Sequence, residues 1–271
     1  MIVRAPATTA NVGPGFDCVG IALDLWNEVE IERGDGPVDR GHLGVRAFER
    51  LTHADGWTFR WTDRIPRARG LGSSAATVAL GVVAGELARG GTPHPETLLA
   101  AGVDLEGHAD NLAAALAGGV CLTWDGRIAR IADSAPAAAV VVVPETTVST
   151  EESRRALPAT VPHADAAVSA GRAALLGAAL ASASHELFAA ALHDRLHEPY
   201  RAETAPWLAE IRARLPVGAI GATLSGSGPS IVVWAEHGQA AACAAELEQR
   251  YPRAQILELA VAGSGAASSS H

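Results

Sequence analysis

Three glycine-rich segments hold most of the residues able to meet a phosphate. They are Thr8-Thr9-Ala10-Asn11-Val12-Gly13-Pro14-Gly15-Phe16-Asp17, then Arg69-Gly70-Leu71-Gly72-Ser73-Ser74-Ala75-Ala76, then Leu224-Ser225-Gly226-Ser227-Gly228-Pro229-Ser230. In the second, glycine lets the backbone approach an anion, and the helical run that follows offers free N–H groups and the positive end of a dipole. Ser73 and Ser74 add hydroxyls for phosphate oxygens or Mg2+. A single Gly-x-Gly before a helix is as easily a plain tight turn. Two more glycine loops in the same chain favour the phosphate reading.

Lys is absent from the chain, which excludes a Walker-type lysine loop and any Schiff-base lysine. Phosphate must then be held by backbone amides, hydroxyls, Arg and metal. The spacing Glu106, His108, Asp110 resembles a metal cluster on one side of an extended segment, but a structural metal site calls for more N or S ligands. A single Mg2+ held mainly through ATP, with Glu106 and Ser74 as protein ligands, suits that ion better, and Asp104 is a rival to Glu106. Cys18, Cys121 and Cys243 are odd in number and widely spaced, so reduced thiols are expected.

The 271 residues are 48% apolar and can bury a substantial core, in one large domain or two intimate ones. A net charge of -9 argues against nucleic-acid binding, which needs clustered positive charge. The N-terminus shows no basic segment followed by a long apolar one, and the apolar runs fall short of a membrane span, so a cytoplasmic enzyme acting on small molecules is expected.

Residue patterns place these loops between elements. Alternation predicts strands at 2–5, 19–25 and 28–32, with a Gly/Pro loop between the first two, a short helix at 43–51 and a strand at 57–61. Helices are expected at 75–88, 95–101 and 111–117, the last ended by Gly118-Gly119. A hairpin turned by Asp125-Gly126 joins strands 120–124 and 128–131, and 138–143 reads as an interior strand. The second half predicts helices at 150–157, 164–181, 185–192, 205–215 and 238–249, with strands at 218–224, 230–235 and 255–259. Together these give an α+β chain divided into residues 1–136, residues 137–262, and a Gly/Ser/Ala tail, 263–271, too poor in apolar surface to order.

The strings PATTANVGPGFDCVGIAL (6–23), IPRARGLGSSAA (65–76), EGHADNLAAALAGG (106–119), STEESRRALP (149–158), HEPYR (197–201) and GATLSGSGPS (221–230) resemble the GHMP small-molecule kinases, in family order and across most of the chain. GLGSSAA is common to that superfamily, while the Asn-x-Gly-x-Gly-Phe-Asp and Glu-Gly-His-x-Asp-Asn strings are similar to its homoserine kinase branch. The resemblance implies a two-domain GHMP-kinase-like architecture, an N-terminal mixed α/β domain with the phosphate loop and a ferredoxin-like C-terminal domain, in a homodimer. It implies ATP-dependent phosphorylation of the homoserine hydroxyl on the way to threonine.

It also assigns residues. ATP would lie on Pro66, Arg67, Ala68, Arg69, Gly70, Leu71, Gly72, Ser73, Ser74, Ala75 and Ala76, closed over by Gly226, Ser227 and Gly228. Arg154 and Arg201 would fork onto the substrate carboxylate, Asp17 face its ammonium with Asn11 beside it, and Asn111 and His108 orient its hydroxyl. Asn111, Ser74 and Arg154 are the catalytic candidates. Each has a plainer use: a solvated helix Arg, an Asx-turn, or a helix cap at Asp110 and Asn111. The sequence departs from the family at Ser169, where an Asn is usual, and only His42-Leu43 suggests an adenine pocket. The rivals are a superfamily kinase for threonine, mevalonate or a sugar-like alcohol, and an inactive nucleotide-binding relative.

Overall fold

A computed structural model describes residues 1–269. The first sheet starts as a hairpin: β1 (Ile2–Asn11) runs antiparallel to β2 (Gly15–Arg33). The expected Gly/Pro loop is therefore only a turn, made possible by left-handed backbone at Asn11, Val12 and Gly13. The two expected strands within 19–32 are one strand, joined through Asn27, whose buried side chain accepts from the N–H groups of Arg64 and Ile65.

The helix α1 (Leu43–Phe48) leads into β3 (Trp57–Thr62), which pairs with the far half of β2. After the phosphate loop come α2 (Ser73–Ala88), α3 (Pro95–Glu106) and α4 (Ala109–Ala117). The hairpin β4 (Val120–Trp124) and β5 (Arg127–Ala132) turns at Asp125-Gly126 with positive φ at both, as its sequence requires. The α2 helix buries residues all around its circumference, so its near-uniform apolar sequence reflects a central position between sheet and neighbouring helices.

The second sheet is built from β6 (Ala138–Val143), β7 (Ala219–Leu224), β8 (Ile231–Ala235) and β9 (Gln255–Leu259) in the order β7-β8-β6-β9, all antiparallel. Numbered within this half, that is the 2-3-1-4 arrangement of a ferredoxin-like fold. The chain between β6 and β7 forms α5 (Thr150–Arg155), α6 (His163–Ser182), α7 (His185–Ala191), a 3-10 turn at Pro199–Arg201, and α8 (Trp207–Ala213). The helix α9 (Ala240–Arg250) precedes β9. By length and composition α6 could cross a membrane, contrary to the expectation that the apolar runs are too short. Its sequence is rich in Ala and it packs on α7.

The chain then returns to the first sheet. Residues 260–262 bridge to β2, with the Asp24 N–H donating to the Ala260 carbonyl and the Ala262 N–H to that of Ala22. The tail expected to be unordered differs from that reading: β10 (Ala267–Ser268) extends the sheet on β1, Ala266 is buried, and its N–H donates to the Ala115 carbonyl. Backbone pairing at the sheet edge supplies the order that the side chains cannot. Residues 270 and 271 lie outside the described residues.

Candidate active site

The phosphate loop is held from behind by both other glycine loops. The Thr8 N–H donates to the Leu71 carbonyl, the Gly226 N–H to that of Ala10, and the Ser225 hydroxyl lies 2.7 Å from the Gly70 carbonyl oxygen and 2.9 Å from Thr9 Oγ1. Contact is close enough to explain the glycines: a Cβ on Gly70 would stand 2.1 Å from the Ser225 carbonyl oxygen, and one on Gly72 1.9 Å from Thr8 Oγ1. Both have φ near the left-handed value. Gly72 caps α2 without a side chain, so the first N–H groups of that helix remain free to meet an anion. Arg69 braces the loop from outside, donating to the carbonyls of Pro144 and Glu145.

One cleft collects Asn11, Asp17, residues 68–74, Glu106, His108, Asn111, Arg154, Arg201, Gly226, Ser227 and Gly228. Four expected ATP contacts are not in it. Ala75 and Ala76 are fully buried in the core, because the first turn of α2 points them inward. Pro66 and Arg67 lie before the cleft, with Arg67 exposed and paired with Asp63. Arg67 instead lines an adjoining hollow with His42, Leu43 and Thr77, continuous with the cleft through Ala68, Ser73 and Ser74. His42 stacks there on Trp61 at 4.3 Å between ring centres.

The acidic corner is not an extended segment. Glu106 ends α3, Gly107 reverses the chain with left-handed backbone, and His108 precedes α4. Burial pushes the Glu106 carboxyl up to about 7, with Asp110 adding to the rise and a hydrogen bond with Ser74 opposing it. Its Oε2 is buried without a hydrogen-bond partner among the described residues. Asp104 is exposed and does not line the cleft. Asp110 is buried and raised to about 6, chiefly by desolvation, while its Oδ1 accepts the Asn111 N–H at 2.7 Å. The helix cap expected at Asp110 and Asn111 is not there: the N-cap is His108, without a side-chain hydrogen bond, and Asp110 and Asn111 stand inside the first turn of α4. Among the described residues no group of three His, Cys, Asp or Glu is arranged to hold a metal by itself.

Opposite the acids, Arg154 meets Asp17 through both terminal nitrogens and donates from Nε to His108 Nε2. That contact leaves the His108 proton on Nδ1, and burial followed by the Arg154 charge lowers its basicity. Arg201 is 2% exposed, its Nε has no partner among the described residues, and its basicity is lowered first by burial and then by Arg154. Both guanidinium carbons lie over the Phe16 ring, at 5.7 Å and 5.4 Å. The Asn11 amide ties the first loop to the third, donating to the Gly226 carbonyl and accepting the Asp17 N–H. Ser169 does not reach the cleft: it is buried in α6, where its hydroxyl accepts the Arg195 N–H.

Two buried residues that brace the site from behind escape a reading of the sequence. Thr8 donates its hydroxyl to Asn111 Oδ1 at 2.7 Å, and His197 joins Arg201 to the first loop. Both lie inside the strings that resemble the family, which was the available signal.

Residues 42–119 match the GHMP kinases N terminal domain and residues 167–253 the GHMP kinases C terminal model. The homoserine kinase of Synechococcus sp. (strain WH7803) is 39% identical over 86% of this chain and 82% of its own length, and that of Desulfitobacterium hafniense (strain DSM 10664 / DCB-2) is 40% identical over 85% of each. The chain belongs to the homoserine kinase family of GHMP kinases. A solved homoserine kinase from Cytophaga hutchinsonii superposes with a TM-score of 0.87 at 27% identity, covering 98% of this chain and 96% of that one. A mevalonate kinase from Methanococcus jannaschii, 13% identical with a TM-score of 0.69 over 96% of this chain and 98% of its own, shares the fold alone. The family's glycine loops thus recur here as a chain that builds a kinase cleft.

Proposed function

We propose that this kinase phosphorylates the side-chain hydroxyl of L-homoserine with ATP, giving O-phospho-L-homoserine for threonine biosynthesis. The observation that carries the reading is the placement of Arg154, Arg201 and Asp17 in one cleft with the phosphate loop. Two cations and one anion complement a zwitterion whose carboxylate needs a planar fork and whose ammonium needs an acceptor. A substrate without a carboxylate has no use for both arginines.

The triphosphate is placed on Ala68 to Ser74, against the free amides of α2 and beneath Gly226 to Gly228. The adenosine is placed in the adjoining hollow at His42 and Leu43. For Mg2+ the residues fit: Ser74 and Glu106 are adjacent, and Glu106 offers a buried oxygen without a partner among the described residues. Bound there with ATP, Mg2+ would neutralise charge on the phosphates. Asn111 and His108 orient the acceptor hydroxyl. A new P–O bond forms to that oxygen as the bond to the ADP leaving oxygen breaks, and the hydroxyl proton passes to an oxygen of the transferred phosphoryl group and on to solvent, without a dedicated protein base. Transfer of this kind rests on positioning and electrostatics, which the two arginines and the helix terminus supply.

Residues 1–136 would carry ATP, residues 137–262 the arginines, and the enzyme would act as a cytoplasmic homodimer. The test is ADP release by purified protein with Mg-ATP across L-homoserine, L-threonine, mevalonate and a sugar panel. Turnover with homoserine alone supports the reading; turnover only with another acceptor, or with none, overturns it.

A further inference from the structure

Arg201 lies on a 3-10 turn, a poor platform for a long side chain, yet its guanidinium is buried. What fixes it is His197, whose ring is fully buried. His197 Nε2 stands 2.8 Å from the Gly13 carbonyl oxygen, which can only accept, so Nε2 carries the ring proton. Nδ1 is then a bare acceptor, 3.0 Å from Arg201 Nη1, which always donates. The ring also stacks on Phe16, at 5.0 Å and 18° between planes, and Phe16 lies under both arginines. The backbone of the histidine is locked in turn, because Asp194 accepts the N–H groups of Leu196, His197 and Glu198.

We propose that His197 is a positioning residue for substrate recognition: its neutral Nε2–H tautomer ties the Arg201 fork to the first glycine loop and so aims that fork at the substrate carboxylate. The inference rests on the homoserine reading above. The direction of the chain Arg201 to His197 to Gly13 matters, since an apolar ring of the same shape keeps the stack on Phe16 and loses both hydrogen bonds. Arg201 then retains only the longer bond to the Gly226 carbonyl, at 3.3 Å, and is free to swing.

The experiment compares wild type, His197→Phe and His197→Asn on two acceptors, L-homoserine and 3-amino-1-propanol, which is homoserine without its carboxylate. Phe keeps the stack; Asn restores an acceptor near the Nδ1 position. For His197→Phe, KM for homoserine should rise about tenfold or more, the scale of one lost hydrogen bond to a charged group. Its kcat and KM for ATP should stay within about threefold, and kcat/KM for the amino alcohol should barely change. His197→Asn should recover part of the loss. Equal losses on both acceptors, or an unchanged KM for homoserine, would overturn the inference and reduce His197 to a packing residue. Inactivity of the wild type on homoserine would instead overturn the reading of the substrate, so the two failures are distinct. If His197→Phe does not fold, the split is read from His197→Asn and His197→Gln against the same two acceptors.

Discussion

Both terminal nitrogens of Arg154 reach the carboxylate of Asp17, Nη2 to Oδ1 at 2.7 Å and Nη1 to Oδ2 at 3.2 Å. The pair is half exposed at the cleft and bridges the first glycine loop to α5 across 137 residues of chain. The two charges satisfy each other. In the proposed reading a zwitterionic substrate offers each a replacement partner.

Asp17→Asn therefore separates stability from function. An ion pair this exposed contributes about 0–1 kcal/mol to folding, and the melting temperature should change by no more than a few degrees. In the proposed reading the ammonium loses its acceptor and Arg154 its orientation, so kcat/KM for homoserine should fall about a hundredfold or more. Steady-state kinetics beside a thermal melt check both. A large drop in melting temperature with unchanged kcat/KM would make the pair structural.

Gly70→Ala probes the clamp between the second and third loops. The new Cβ would stand 2.1 Å from the Ser225 carbonyl oxygen, and φ is +76°. Left-handed backbone at a non-glycine residue costs about 1–3 kcal/mol by itself, and here the clash is with main chain that cannot rotate aside. The variant should lose stability on that scale in urea unfolding and show a KM for ATP raised at least tenfold. Wild-type KM for ATP in a folded variant would remove the loop from the nucleotide site.

Much of this arrangement is legible in the residues because it depends on local chemistry. The apolar run after the second glycine loop announces a helix, which starts at Ser73, two residues before the expected 75, and Asp125-Gly126 announces its hairpin. The strand boundaries were less accessible: Asn11 and Val12 take left-handed backbone that glycine usually takes, so the stretch before Phe16 read as a loop when it is a two-strand turn. The ordered tail depends on an edge of β1 that no property of residues 263–269 reveals. Ala75 and Ala76 open an apolar run whose composition suits a buried helix, and both are buried in the core. The acidic corner was misplaced on an extended segment because Gly107 hides a helix break that only its left-handed conformation discloses.

Glu106 predicts a pH dependence with a definite sign. Its carboxyl titrates near 7 in the folded protein against an ordinary value of 4.5, raised chiefly by burial. Without Mg2+, the folded state holds this proton more tightly than the unfolded chain, so the contribution to stability is full below about 4.5 and is lost as pH rises through 7. Glu106→Gln, which cannot ionise, should be more stable than wild type at pH 8, with the difference shrinking toward pH 4. Mg2+ needs the ionised form, so its apparent affinity should weaken about tenfold per pH unit below 7 in the wild type. Magnesium titrations from pH 6 to 8 and melts with EDTA test this; a pH-independent Mg2+ requirement would take Glu106 out of the metal site.

Thr8 offers the narrowest test of catalysis, because its buried hydroxyl supports one residue that lines the cleft. It donates to Asn111 Oδ1 at 2.7 Å and thereby fixes the amide that, in the proposed mechanism, orients the acceptor alcohol: Oδ1 is engaged, and Nδ2 is turned toward Asp110, 3.5 Å from the Asp110 Oδ1. Thr8→Val keeps the shape and burial and deletes only the donor. Its effect on folding should stay within about 1–2 kcal/mol, the range for one hydrogen bond removed without a cavity. An amide free to rotate misdirects the hydroxyl in part of the population, so kcat should fall about tenfold, with KM for ATP unchanged. Asn111→Ala should lower kcat further, and Thr8→Val added to it should have no additional effect, since the threonine acts through the asparagine. Independent, multiplying losses in the double variant would show that Thr8 touches substrate or phosphate directly.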